Sequence, residues 1–229
     1  MHWLFEAKKR YGLAVLNFMV TSNHIHLIVA DNNQKDVISR SMQLVASRTA
    51  QEYNWRKNRK GAYWEDRYHA TAIERDDHLF RCIVYLDLNM VRARVVTHPS
   101  DWRFSGYNEI QNPRQRYALI NYKRLMQLLN IQTVEELKKS HSGWVEAALR
   151  DGRHVRESKW VQSIAVGSEE FVETTRENLG FQVKTRSVSQ SGDDYQLRER
   201  QTPYSAHSAP ENAPLSGVNT YYWNISHVI

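Results

Sequence analysis

The sequence predicts an α+β fold in which helices pack on a small antiparallel sheet, followed by a C-terminal helical extension and a tail. Residues 13–29 contain two short apolar segments of strand length, separated by a polar turn. Residues 35–54 and 78–94 instead repeat their apolar side chains at helical spacing. With 229 residues, of which 41% are hydrophobic, the chain can bury a sizeable core.

The N-terminal part predicts a helix, a β-hairpin and a second helix. Residues 2–10 have helical character and end near Gly12, which suits a C-cap. Residues 13–20 and 24–29 are the two hairpin strands, joined by a turn at residues 21–23. The helix over residues 35–54 is expected to bury one side, which carries Val37, Ile38, Met42, Val45 and Thr49.

The remaining elements divide the chain into three parts. An extended segment over residues 62–74 precedes a helix that starts at Asp76 or Asp77. Two short helices with Asn121 and Thr133 as N-caps are expected within residues 121–150, and another over residues 168–180. We therefore predict a domain over residues 1–110, a helical accessory region over residues 111–182, and a flexible tail with an aromatic end over residues 183–229.

Composition narrows the class of protein. No run of eighteen apolar residues is present, so no membrane partner is expected, and the N-terminus lacks the order of a signal peptide. The single cysteine, Cys82, rules out an internal disulfide and is consistent with a cytoplasmic protein. The net charge of +6 favours polyanionic partners, although many cytoplasmic proteins are as basic.

A basic segment interleaved with aromatic residues follows the long helix. Cations suit a phosphate backbone and aromatic rings suit stacked bases, although a solvated basic loop has the same composition. For Trp64, packing in the hydrophobic core is an equal alternative to DNA binding. The candidate DNA-binding residues of this region are Trp55, Arg56, Lys57, Arg59, Lys60, Trp64 and Arg67.

Two histidines two residues apart form a candidate metal site. His24 and His26 lie on one predicted strand, so both point to the same face, while Ile25 and Leu27 face the core. Imidazoles in this arrangement are suitable metal ligands. Two surface histidines on an exposed sheet face would give the same pattern.

The helix over residues 78–94 carries a polar stripe between two apolar rows. Arg81, Tyr85, Asn89 and Arg92 follow one another at spacings of four, four and three, which places them on one helix face. Packing alone does not require such a stripe. The alternative is that Tyr85 reaches solvent with its hydroxyl and the arginines are solvated.

Three ordered segments resemble the single-tyrosine HUH transposases of the insertion-sequence 200/605 kind, and most closely the REP-associated tyrosine transposases. They are NFMVTSNHIHLIV, WEDRYHATAIE, and YLDLNMVRARVV followed by HP and DWRFSGY. The resemblance covers roughly residues 1–110 and implies an HUH domain. It implies that His24 and His26 bind a divalent cation, that Asn89 adds a third ligand, and that Tyr85 is the nucleophile.

The resemblance also implies a reaction and its partners. Tyr85 would attack a phosphodiester of hairpin-bearing single-stranded DNA and form a 5′-phosphotyrosine, with Mg²⁺ or Mn²⁺ as cofactor and no nucleotide cofactor. Some relatives form dimers, so the resemblance also makes a homodimer an expectation for this protein. Arg81 and Arg92 join the candidate DNA-binding residues.

Two departures from the family pattern leave other functions open. Relatives usually carry a further strand and a longer first helix before the segment that starts here, and a missing strand would leave the sheet with an unpaired edge or a gap. Two explanations stay open: an N-terminally shortened copy and a miscalled start. Relatives also carry proline in place of Met90 and glycine in place of Arg94. A domesticated DNA-binding protein that acts on chromosomal repeats without transposition is one alternative, and an inactive remnant is another.

Overall fold

A computed structural model describes residues 1–32, 34–152, 155–180, 186–192, 194–199 and 223–228. Its elements confirm the α+β class. The N-terminal half contains helices α1 to α4 and strands β1 to β3. They span His2–Tyr11 (α1), Ala14–Val20 (β1), Ile25–Ala30 (β2), Val37–Arg56 (α2), Tyr68–Ile73 (β3), Asp77–Asp87 (α3) and Asn89–Arg92 (α4).

The rest of the chain, after α4, adds further helices and, among the described residues, four strands. A 3-10 turn lies at Pro99–Asp101. The remaining elements span Gly106–Gln111 (α5), Tyr122–Leu128 (α6), Val134–Arg150 (α7), Lys159–Gln162 (α8), Ala165–Gly167 (β4), Glu169–Leu179 (α9), Arg186–Ser191 (β5), Asp194–Glu199 (β6) and Trp223–Val228 (β7). In the described part of the chain, no helix is long and apolar enough to cross a membrane.

All seven strands belong to one sheet, in the order β1-β2-β7-β3-β4-β6-β5. Strands β1 and β2 pair antiparallel, as the predicted hairpin requires. The centre differs from the predicted small antiparallel sheet, because β7 pairs parallel with β2 on one side and with β3 on the other. The position between β2 and β3 is therefore occupied by a strand from much later in the sequence.

The sheet crosses the predicted division of the chain. The sequence predicts a flexible tail over residues 183–229, yet within its described part β5 and β6 form a hairpin whose inner strand pairs with β4. Residues 200–222 of this prediction lie outside the described residues. Leu197 of β6 is fully buried beside Ala165 of β4, which explains why a largely polar segment is ordered here. Burial supplied by a partner strand is a tertiary effect that local composition does not report.

Most of the capping residues predicted from the sequence do lie at helix ends. The side chains of Asn121 and Thr133 accept hydrogen bonds from the first turns of α6 and α7, as predicted for N-caps. Asp76 precedes α3 but makes no side-chain cap. Arg94, which stands where relatives carry glycine, has a φ of 58°, a left-handed conformation that favours glycine.

The main core lies against the hairpin that carries the two histidines. Strand β1 is buried along almost its full length, and α1, α2 and α3 pack around β1 and β2. Leu4, Phe18, Leu27 and Ile83 are each at most 1% exposed. Burial of this extent fixes the strand and the helix whose ends form the site.

Candidate active site

The two histidines lie side by side at the start of β2. His24 ends the turn before the strand and His26 is its second residue, and both are partly buried. Their rings are parallel, with an interplanar angle of 4° and a centroid separation of 6.0 Å. The turn is held by Thr21, whose hydroxyl accepts a hydrogen bond from the backbone N–H of His24 at 2.9 Å. A strand period of two and a fixed turn thus place both imidazoles on one face.

Tyr85 projects from α3 into the same cleft, and Arg92 lies against it. The Arg92 guanidinium carbon is 3.8 Å from the centre of the Tyr85 ring. Its Nη1 donates to the backbone carbonyl of Tyr85 at 2.7 Å. Within the described residues, Nη2 of Arg92 is buried and has no hydrogen-bond acceptor at bonding distance. A guanidinium with an unused donor beside a phenol is suited to an incoming phosphate oxygen.

Asn89 completes the group, one turn beyond Tyr85. The helix predicted over residues 78–94 is divided at Leu88, so that Asn89 opens α4. A cleft of about 550 Å³ brings the predicted residues together with one that was not predicted, Arg156. The candidate functional side chains that line it are His24, His26, Tyr85, Asn89, Arg92 and Arg156.

Both histidines are poised to remain neutral. Burial lowers the pKa of His24, and the nearby positive charge of Arg156 lowers it further. For His26, burial and then the charges of His24, Arg92 and Arg156 lower the pKa to about 4. Neutral imidazole is the form that binds a cation, so these shifts favour ligand chemistry at neutral pH.

The lowered pKa of His26 predicts a pH-dependent stability. An unfolded histidine titrates near 6.5, so the unfolded state binds the extra proton first as the pH falls. The contribution of His26 is therefore complete above pH 6.5 and lost between pH 6.5 and about 4. In the metal-free protein, His26→Gln should remove about 2–3 kcal/mol of the stability loss across this window, measured by urea unfolding. An unchanged pH slope in this variant would show that His26 is not the titrating group.

The Tyr85 hydroxyl needs help to act as a nucleophile. Burial raises the pKa of Tyr85 above its usual value of 10, while Arg92 and Arg156 act in the opposite direction. The phenol is therefore protonated at neutral pH, and additional positive charge in the cleft would favour the phenolate.

A buried polar network fixes the helix that carries Tyr85. Asp87, fully buried two residues after Tyr85, accepts a hydrogen bond from Asn17 of β1 at 3.0 Å. Its other oxygen lies 2.7 Å from Nε2 of His141 on α7. Gly106 permits this arrangement, because a Cβ there would lie 1.9 Å from Oδ1 of Asn17. The network ties α3 to the sheet and to the accessory helices.

This network predicts a large stability effect. Asp87→Ala would leave His141 and Asn17 buried without their partner, and should lower the free energy of unfolding by about 3 kcal/mol or more. The matched control is the more exposed pair of His98 and Glu146, 3.1 Å apart. It likewise joins a histidine to a carboxylate, but here the carboxylate is the partner that lies on α7. Glu146→Ala should cost about 0.5 kcal/mol or less. Equal effects of the two variants in urea unfolding would contradict a structural role for Asp87.

The other predicted DNA-binding residues lie outside this cleft. Trp55 is 83% exposed near the end of α2, and the basic residues that follow it are also exposed. Arg59 donates to the carbonyl of Ala62 at 2.8 Å. Trp64 donates its Nε1–H to the carbonyl of Ala46 at 2.8 Å and packs on the core, which favours the alternative of a core anchor.

Only three of the four residues in the polar stripe on α3 and α4 line the cleft. Tyr85, Asn89 and Arg92 line it, whereas Arg81 turns to Asp194 of β6 and donates to both carboxylate oxygens, at 2.6 and 3.2 Å. Arg67 is exposed next to Asp66. A phosphate contact by Arg81 would have to compete with this ion pair.

Sequence reasoning did not identify Arg156, Asp87 or His141. Arg156 lies in an irregular segment between α7 and α8, whose path depends on tertiary packing. Asp87 did carry a signal, since helical spacing places it between the two apolar rows, on the buried side of the helix. A charged residue in such a row is expected to have a buried partner.

The chain was also compared with known proteins. A family model described as transposase, IS200 like, matches residues 2–86. Over these residues, which are fewer than half of the chain, the protein is similar to the IS200-like transposases. The matched range contains both histidines and Tyr85, and it ends before Asn89 and Arg92. Comparisons with curated proteins and with solved structures gave no significant match.

The match confirms the resemblance at the level of the IS200-like transposases, while the REP-associated branch stays a prediction. The similarity of residues 2–86 to these transposases favours a function in DNA transposition, with DNA as the partner. The accessory helices, Arg156 and strands β4 to β7 lie outside the matched residues.

Proposed function

We propose that the protein cleaves and rejoins single-stranded DNA, with Tyr85 as nucleophile and a divalent cation as cofactor. One observation carries this proposal: Tyr85 lines a single cleft with His24, His26 and Asn89. The similarity of residues 2–86 to the IS200-like transposases agrees with it.

The residues of the cleft fit Mg²⁺ or Mn²⁺ as a cofactor. Among the described residues, no group of three or more histidine, cysteine, aspartate or glutamate side chains could hold a metal ion. Two neutral imidazoles and the amide oxygen of Asn89 therefore form an incomplete ligand set, which suits a hard cation that keeps several waters. When bound, the cation would polarise the scissile phosphate and favour the phenolate form of Tyr85.

The reaction conserves the energy of the phosphodiester bond. The Tyr85 oxygen forms a bond to phosphorus, the bond from phosphorus to the 3′-oxygen breaks, and the phenolic proton leaves to solvent while the 3′-oxygen gains one. Arg92 and Arg156 would neutralise charge on the non-bridging oxygens. Attack of a 3′-hydroxyl on the phosphotyrosine restores the phosphodiester and the phenol, so no nucleotide cofactor is required.

The experiment that tests this function is cleavage of hairpin-bearing single strands with and without Mn²⁺. A pool with random flanking sequence avoids any assumption about the target. His24→Ala should lower cleavage by about 100-fold or more, because it removes a metal ligand, and should leave most DNA binding intact. His98→Ala, which changes a histidine outside the cleft, should cleave like the unmodified protein. Undiminished cleavage by His24→Ala would refute the metal role.

A further inference from the structure

An apolar cavity lies next to the cleft and shares Tyr85 with it. The cavity has a volume of about 570 Å³, within the range of small-ligand sites. Of the described residues, Tyr85 alone lines both spaces. Residues 155–157 separate them, since Val155 and Glu157 line the cavity while Arg156 lines the cleft.

Aromatic side chains form the walls of the cavity. Phe80 of α3 and Trp144 of α7 have ring centroids 5.1 Å apart, at an interplanar angle of 30°. Trp160 of α8 is buried, with its ring centroid 6.2 Å from that of Tyr85. Flat apolar walls of this kind suit a planar ring that stacks on them.

Charge separates the two spaces. The cations of the cavity are neutralised, because Lys159 contacts Glu157 at 2.6 Å and Asp194 at 2.8 Å, and Arg81 also binds Asp194. Asp151 adds a further carboxylate to the lining. The cleft instead contains the guanidinium groups of Arg92 and Arg156. A phosphate is therefore favoured in the cleft and a neutral ring in the cavity.

We propose that this cavity binds one unpaired base of the cleaved DNA strand, from a nucleotide that flanks the phosphate attacked by Tyr85. The inference rests on the proposed function. A base is joined to its own phosphate through one sugar. A phosphate held at the Tyr85 hydroxyl therefore places the base of a flanking nucleotide near the Tyr85 ring, which lines both the cleft and the cavity. The cavity thereby acts as a positioning subsite built largely from the accessory helices.

Photocrosslinking tests the subsite without requiring cleavage. The probe is a pool of random single strands that carry halogenated pyrimidines or adenines. Each strand has about 20 nucleotides, which is longer than the roughly 4–16 nucleotides usual for a binding site. The background variant is Tyr85→Phe, which retains the ring but cannot form the adduct. We expect crosslinks to Trp144, Phe80 or Trp160, mapped by mass spectrometry.

A filled cavity and a matched control complete the test. Ala147→Phe adds a ring to the lining of the cavity, and should abolish these crosslinks and weaken strand binding about tenfold. Gly143→Phe adds the same ring one turn away on α7, where Cβ meets open space, and should change neither. If Ala147→Phe does not fold, Ala147→Leu with the same readout replaces it.

Each outcome decides between the two proposals. Crosslinks confined to other sites, or unchanged in a folded Ala147 variant, overturn the base subsite while leaving cleavage by Tyr85 intact. A protein that binds no single strand overturns both. Crosslinks within the cavity, together with a protein that retains Tyr85 but never forms an adduct with DNA, support the subsite and refute the proposed cleavage.

Discussion

Tyr85→Phe should abolish both strand cleavage and the covalent protein–DNA adduct. The variant loses only the attacking oxygen, so the rate is expected to fall by at least about 10⁴-fold. The aromatic ring remains, and Arg92 can still bind the backbone carbonyl of residue 85. Unfolding and strand binding should therefore stay near those of the unmodified protein, while a denaturing gel shows no slow-migrating species.

Tyr117→Phe is the matched control for this loss. Tyr117 is 71% exposed and does not line the cleft, so removal of its hydroxyl should leave cleavage unchanged. An adduct that persists in Tyr85→Phe at the same yield would exclude Tyr85 as the nucleophile, even if the DNA is still cut.

Deletion of residues 223–229 should disrupt the sheet and, with it, the cleft. Strand β7 pairs along five register positions with β2 and six with β3, and its residue Asn224 is in register with both His26 and His69. Removal of a central strand opens two edges and breaks roughly ten backbone hydrogen bonds. At about 0.5–1.5 kcal/mol each, the loss is on the order of 5–15 kcal/mol, comparable to the whole stability of a domain.

Circular dichroism and urea unfolding measure this effect, and a peptide provides the control. A synthetic peptide of residues 219–229, added in trans, should restore the unfolding midpoint and metal-dependent cleavage, because it can occupy the vacated position. A peptide of the same composition in scrambled order should not. A truncated protein with an unchanged midpoint would show that β7 does not contribute to the stability of the sheet.

The parts of the site that could be predicted depend on local geometry. His24 and His26 share a face because strand side chains alternate, and Tyr85 and Asn89 share a cleft because they are one helical turn apart. These relations survive even where the helix divides at Leu88. The N-caps at Asn121 and Thr133 were predictable for the same reason, because each side chain bonds a backbone N–H only three residues later.

The parts that could not be predicted depend on contacts between distant segments. Strand β7 follows β2 by almost two hundred residues, and nothing in its own sequence specifies two parallel neighbours. The β5–β6 hairpin is polar and is ordered through β4. Arg156 and the aromatic cavity arise where the accessory helices meet α3, and a one-dimensional pattern does not report such a junction.

The most direct test of the account is the identity of the residue that becomes linked to DNA. The protein is incubated with the hairpin pool and Mn²⁺, the DNA is digested with nuclease, and tryptic peptides are analysed by mass spectrometry. We predict a nucleotide attached through a phosphate to Tyr85, on the peptide that follows Arg81 and ends at Arg92. A nucleotide on any other tyrosine, or cleavage without any linked peptide, would contradict the account.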